Sequence, residues 1–135
     1  MKRKVLLFGT FDNLHPGHRD FFRQAAKLGD VIAIIARDKN VKKIKGAYPH
    51  ARERSRLLSV ARDKNVFKAM LGDRNDFLRP VERIQPDIIA LGHDQQTFTV
   101  GALKRELKSR KLTPKIVRLK SHQPQKFKSS ILKNK

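Results

Sequence analysis

Gly9-Thr10-Phe11-Asp12-Asn13-Leu14-His15-Pro16-Gly17-His18 follows directly on the apolar run Val5-Leu6-Leu7-Phe8, and the reading of the whole chain turns on this stretch. The run is short, bounded by charge before and glycine after, and reads as a buried strand that ends in a tight turn. Pro16 then opens a helix, because proline in the first helical turn gives up no useful N–H and already holds a helical φ. His15 and His18 therefore lie at a helix start, where unpaired backbone N–H groups and the positive end of the macrodipole favour a phosphate. A bare His-x-x-His would serve equally as a metal pair or as two surface histidines. The strand and the Gly-Thr-Phe-Asp turn in front of it favour the phosphate site.

Outward from this turn the chain alternates apolar runs with helical segments. The first helix runs from Pro16 to about Leu28, with Phe21, Phe22, Ala25, Ala26 and Leu28 on or near one face, and Gly29 ends it. Val31 to Ala36 is apolar without alternation, as in a strand covered on both faces of a parallel sheet. Residues 38–50 have no evident periodicity and read as a basic loop at a strand's carboxyl end, with Lys39, Lys42, Lys43 and Lys45 followed by Gly46 and Pro49. Ala51 to Asp63 has Leu57, Leu58 and Ala61 at helical spacing among arginines. Val66–Leu71 gives a third strand, Asp76–Ile84 a short helix stopped by Pro86, and Asp87–Gly92 a fourth buried strand. Gly92-His93-Asp94-Gln95 follows it as a second informative turn. Ala102–Leu112 is a further helix and Lys115–Leu119 a fifth strand. The expected fold is α/β: a Rossmann-like sheet of five parallel strands in the order 3-2-1-4-5, flanked by helices, with its ligand crevice at the topological switch point.

A chain of 135 residues is long enough for one hydrophobic core, so a single domain over residues 1–135 is expected, with a basic segment at 120–135. Cysteine is absent, which excludes a disulfide framework and a cysteine-based zinc site. The apolar run after Met1-Lys2-Arg3-Lys4 stops at Gly9, too short for a membrane span, and a cytoplasmic protein is expected. The formal charge is +20, with 32 Lys and Arg against 12 acids. Residues 104–135 carry twelve of the basic residues and a single acid, Glu106. Such a field speeds the arrival of anionic substrates and also binds nucleic acid without sequence preference, or serves only as a solvated surface.

Gly-Thr-Phe-Asp followed by His-Pro-Gly-His resembles the signature of the HxGH nucleotidyltransferases, the family of cytidylyltransferases and related adenylyltransferases. The resemblance implies that His15 and His18 bind nucleotide phosphates and stabilise charge at the α-phosphate, with Gly9, Thr10, Phe11 and Asp12 around the nucleotide. Asn40-Val41-Lys42-Lys43-Ile44-Lys45-Gly46 resembles the family's lysine-bearing loop, which implies phosphate binding by Lys43 and Lys45, Lys45 being a candidate catalytic group. Glu53-Arg54 matches a Glu-Arg pair of relatives. Arg62 matches an arginine that reaches substrate phosphate, sometimes across a dimer interface. Arginine suits that work because its planar fork grips phosphate oxygens in pairs. Asp12 admits three roles: orienting a histidine or lysine, helping to hold a metal, or capping a turn.

Gly92, Asp94 and Gln95 match the nucleotide-recognition loop, and Gly-x-Asp-Gln is similar to the archaeal FAD synthases rather than to the Gly-Asp-Asp-Trp of many cytidylyltransferases. Near the carboxyl end, Ser129 and Ser130 match a hydroxyl pair that holds the triphosphate and read locally as an N-cap. The arginine of that motif is missing: Gln123 or Phe127 falls there, and Lys126 or Lys128 is left to supply the charge. The resemblance therefore implies AMP transfer from ATP to FMN with a divalent ion, magnesium in type, on the phosphates. Its alternative is a CTP-dependent transfer to glycerol 3-phosphate or a similar phosphorylated alcohol, a reading helped by Ala47-Tyr48. Relatives are commonly homodimers. A rival from outside catalysis is a basic nucleic-acid-binding protein on the same fold.

Overall fold

The structure is a computed structural model that describes residues 2–92 and 100–120. In chain order these form β1 (Lys4–Gly9), α1 (Pro16–Ala26), β2 (Asp30–Ile35), α2 (Asp38–Lys45), α3 (Glu53–Ala61), β3 (Lys68–Leu71), α4 (Arg79–Ile84), β4 (Ile88–Leu91), α5 (Val100–Ser109) and β5 (Lys115–Arg118). The strands form one parallel sheet in the order β3-β2-β1-β4-β5, as the alternation of apolar runs and helices implies. In β1, Val5 lies opposite Val31 of β2 and Ile88 of β4. Because side chains alternate along a strand, each strand feeds two cores. Val5, Leu7, Val31, Ala33 and Ile35 pack with Phe22 and Ala25 of α1 and Val60 of α3. Leu6, Phe8, Ile32 and Ile34 pack on the other face with Val81 of α4 and with Leu103 and Leu107 of α5.

The topology brings the carboxyl ends of β1, β2, β3 and β4 to one edge of the sheet. Backbone bonds carry the ladders slightly beyond the strands, from Ala36 N–H to Gly9 C=O (2.9 Å) and from Gly72 N–H to Ile35 C=O (2.9 Å). The histidine turn leaves that edge from β1, the central strand.

Several local readings are corrected. The segment after Asp38 is a helix, α2, and not a loop. Only Val41 of α2 is buried, so the apolar period is too thin to see, and its cap comes from elsewhere in the chain. Arg37 at the N-cap makes no side-chain cap; instead Glu53 Oε1 accepts the Asp38 N–H at 2.8 Å. Gly46, in the left-handed region at φ 84°, closes the helix. Helix α4 begins at Arg79 rather than Asp76 because carboxylates hold the preceding turn. Asp73 accepts the N–H groups of Asn75 and Asp76, and Asp76 accepts that of Leu78. Helix α5 runs Val100–Ser109, displaced toward the amino end, and Lys111 leaves helical geometry at φ 60°. The serine-capped final helix falls outside the described residues.

Gly29 follows the end of α1 but is not its left-handed cap, since the cap is Lys27 in ordinary helical geometry. Space requires glycine here: a Cβ at Gly29 would stand 2.3 Å from the Arg3 carbonyl oxygen. Gly29→Ala is expected to lower stability by roughly 1–3 kcal/mol, the range for forced overpacking, measurable by urea unfolding. Gly46→Ala, where nothing lies within 4 Å of the added Cβ, bears only the cost of the left-handed backbone.

Candidate functional site

The turn after β1 is strained in a specific way. Phe11 is non-glycine at φ 52°, a conformation that a bulky side chain adopts only when its surroundings impose it. The imposition is visible: its ring is buried, lies 5.3 Å from the ring of Phe22, and meets His18 edge-on at 5.6 Å. The same ring folds back over Gly9, where a Cβ would lie 2.5 Å from Phe11 Cζ. Gly9 and Phe11 thus shape the turn, and neither places a polar side-chain atom in it.

His15 is the N-cap of α1, with Pro16 as the first helical residue. The two histidines cap the helix reciprocally. His15 Nδ1 accepts the Gly17 N–H at 3.0 Å, and His18 Nδ1 accepts the His15 N–H at 3.4 Å. The rings stack with centroids 3.9 Å apart. With both Nδ1 atoms accepting, the hydrogen-bond network assigns the proton of each neutral ring to Nε2. The turn therefore presents two Nε2–H donors side by side, at a helix end that already favours an anion.

Asp12 takes the turn-capping role among its three. Its two oxygens accept the N–H groups of His50 at 2.7 Å and Ala51 at 2.8 Å, which ties the histidine turn to the segment entering α3. Partial burial pushes its pKa up, but the bonds from Ala51 and His50 and the nearby cations outweigh this and hold it below the ordinary 3.8.

Arg56 is the residue that sequence reasoning missed. It is 1 % exposed, the only charged side chain among the described residues that is buried. Nε donates to the Ala51 carbonyl (3.0 Å), Nη1 to the Thr10 carbonyl (2.8 Å) and Nη2 to Asp38 Oδ1 (2.7 Å). One guanidinium thus joins the histidine turn, the start of α2 and the start of α3. A signal existed: Arg56 lies four residues before Val60, on the buried face of α3.

A cleft of about 340 Å³ opens beside this turn. Phe8, Gly9, Thr10 and Ile34 form its floor at the ends of β1 and β2, α2 contributes Lys43, Ile44 and Lys45, and the loop 72–77 closes the far side. Lys43 and Lys45 thus share a cleft with Thr10, whereas Lys42 lies with its Nζ 4.8 Å from the centroid of Tyr48. Glu53 is occupied with Arg37 and the Asp38 N–H. Arg54 and Arg62 are exposed on α3 and just beyond it, and do not line the cleft. Gly92 stands at the end of β4, its carbonyl accepting from Arg118 at 2.7 Å. Asp94, Gln95, Ser129 and Ser130 lie outside the described residues. Among the described residues no group of three or more His, Cys, Asp or Glu side chains could hold a metal ion, and no helix is long and apolar enough to cross a membrane.

Residues 6–135, which include this sheet and its histidine turn, match a known family described as cytidylyltransferase-like. The chain belongs to the cytidylyltransferase-like family. Within it, the chain is 44 % identical over 129 residues to the FAD synthase of Archaeoglobus profundus, covering 94 % of this chain and 81 % of that protein. It is 46 % identical over 114 residues to the FAD synthase of Archaeoglobus fulgidus, covering 83 % of this chain and 80 % of that protein. Among solved structures, a lipopolysaccharide core biosynthesis protein from Thermoplasma volcanium superposes with a TM-score of 0.86 at 34 % identity, covering 91 % of this chain and all of that one. In this cytidylyltransferase-like chain the histidine turn is held from both sides, by Asp12 and by Arg56.

Two tests follow from that bracing. Arg56→Met strands Asp38 and the Thr10 carbonyl, and is expected to cost about 3–5 kcal/mol, the range for breaking a buried charged pair, read by chemical denaturation. The contribution of Asp12 is fully present above its unfolded pKa of 3.8 and is lost as pH falls through the lower folded value. Tyr48, the only tyrosine, sits in the tethered segment. Its fluorescence should change in that acid range in the native protein and show no such transition in Asp12→Asn, where the tether is already weakened at neutral pH.

Proposed function

We infer that the protein is an FMN adenylyltransferase: it transfers AMP from ATP to FMN, forming FAD and releasing pyrophosphate. The observation that carries this is the identity of 44–46 % to FAD synthases across most of the chain. The reaction needs no covalent enzyme intermediate. A phosphate oxygen of FMN attacks the α-phosphorus of ATP, the new P–O bond forms, and the bond from the α-phosphorus to the bridging oxygen of pyrophosphate breaks. Both partners are anions, so the task of the site is to position them and offset their charge.

The residues suit that task. The Nε2–H donors of His15 and His18 would contact the α-phosphate, where negative charge builds in the transition state. Because each Nδ1 is held by a backbone N–H, the rings are aimed before substrate arrives. Lys43 and Lys45 line the cleft beside Thr10 and would meet phosphate oxygens there. Arg54, Arg62, Ser129 and Ser130 are proposed further phosphate ligands, and Asp94 and Gln95 the groups that read adenine. A magnesium ion fits best as part of the MgATP substrate, held chiefly by the triphosphate and water, in keeping with that ion's preference for phosphate ligands.

The deciding experiment measures FAD formation and pyrophosphate release with MgATP and FMN, beside CTP and glycerol 3-phosphate. Turnover is expected only with the first pair. His18→Asn keeps an acceptor near the Nδ1 position and deletes the donor at Nε2. It should melt like the native protein and turn over roughly 10²–10³ more slowly, the loss seen when one preorganised donor is removed. Turnover only with CTP would return the chain to the cytidylyltransferase alternative.

A further inference from the structure

We propose that the basic face of α5 and of the turn that follows it, carrying Lys104, Lys108 and Lys111, docks the phosphodiester backbone of nucleic acid without reading its sequence. The proposal goes beyond adenylyl transfer and does not depend on it.

The face arises from where the acids go. Between residues 100 and 120 the only acid is Glu106. It is held by Arg110, whose Nε lies 3.1 Å from Glu106 Oε2. Arg110 also pairs with Asp76 at 2.9 Å and with Glu82 at 3.4 Å, so three acids from α4, α5 and the turn before α4 converge on one guanidinium. With about 3.6 residues per turn, Glu106 and Arg110 fall on one flank of the buried Leu103 and Leu107, and Lys104 and Lys108 fall on the other. Lys111 comes next, where the chain leaves helical geometry at φ 60°. Lys104, Arg105, Lys108 and Lys111 are exposed and, among the described residues, their side chains form no hydrogen bond or ion pair. A cation in the last turn stabilises a helix end, which accounts for Lys108 alone. The rest repel one another without local compensation, and a polyanion offsets that repulsion.

The occupant follows from what the face lacks. The large apolar side chains left exposed among the described residues are Ile44, Tyr48, Leu58, Phe67 and Phe77, and none belongs to residues 100–120. A protein partner is gripped through a buried apolar centre, and a membrane surface through inserted apolar side chains. A phosphodiester backbone asks only for exposed cations, and binding is driven by release of its counterions. Residues 100–120 also contain no aromatic ring on which a base could stack, so the contact is to the backbone.

The location leaves catalysis free. Strands β4 and β5 are parallel, so α5 between them runs from the carboxyl edge of the sheet, where the histidine turn lies, back to the amino edge. Lys108 and Lys111 thus stand toward the far edge, and none of the three lysines lines the cleft. One chain can hold nucleic acid and its small substrates together.

The test uses the full chain and a short fluorescein-labelled DNA duplex, with anisotropy titrated over a series of salt concentrations. The native protein is compared with the triple variant Lys104→Gln, Lys108→Gln, Lys111→Gln. A second triple, Lys27→Gln, Lys64→Gln, Lys68→Gln, removes the same charge from exposed positions elsewhere on the chain. Expected for the first triple is a fall of about 2–3 in the slope of log K against log salt, as for three lost phosphate contacts, with binding at low salt weakened more than about tenfold. The second triple should keep the native slope, and melting and FAD formation should be native in both. An unchanged slope in the first triple would overturn the proposal. So would equal losses in the two triples, since binding would then follow total charge rather than this face. Binding to phosphatidylserine vesicles without binding to the duplex would assign the face to a lipid surface and overturn it as well.

Discussion

A buried guanidinium sets the geometry on which the rest of the site depends. Removing an arginine from water is costly unless each face of its fork finds an acceptor, and Arg56 finds three: the Thr10 and Ala51 carbonyls and the Asp38 carboxylate. Those acceptors belong to three segments far apart in the chain. Satisfying the one charge therefore fixes the turn after β1, the start of α2 and the start of α3 relative to one another. Asp12 and Glu53 extend the same frame. Asp12 holds the backbone leading into α3, and Glu53 at the start of α3 reaches back to cap α2. Charges of both signs are used here as joints, each directed at backbone groups that helix ends and turns leave unpaired.

Within that frame the histidine pair performs two tasks with different atoms. The Nδ1 atoms close the first turn of α1, a task usually left to Ser, Thr, Asp or Asn. With both Nδ1 atoms accepting, Nε2 carries the proton of each neutral ring. A serine cap would complete the helix equally well but carry no second donor, and the proposed phosphate contact gives that donor a use here. Strain at Phe11 and the missing Cβ at Gly9 serve the same end, since they bring the chain sharply from the strand to the helix start. The chemistry then requires only that two anionic substrates meet where these donors point.

Charged and apolar side chains share the lining of the cleft. A surface of formal charge +20 attracts any phosphate compound, so lysines alone cannot separate one phosphorylated acceptor from another. In the cleft, Phe77 stacks on Phe8, and Ile44 shares the lining with Lys43 and Lys45. The acids Asp73 and Asp76 and the base Arg110 hold the loop that carries Phe77.

The sequence by itself determined the alternation of buried runs and helices, the parallel sheet and its order, and the helix start that carries the two histidines. Each rests on a local pattern: continuous apolar strands, Pro16 at a helix start, and a Gly-Thr-Phe-Asp turn before two histidines. Tertiary structure alone decided what depends on partners distant in the chain. Helix α2 was unreadable because one residue, Val41, is buried and its cap comes from Glu53, fifteen residues away. Arg56 looked like one more arginine on a basic helix, since only its distant acceptors distinguish it from Arg54. Gly29 looked like a helix cap, whereas the Arg3 carbonyl approaching from another segment requires it. Periodicity reports which face of an element is buried; it carries no information on which group from elsewhere will complete a cap, neutralise a charge or occupy the space where a Cβ would be.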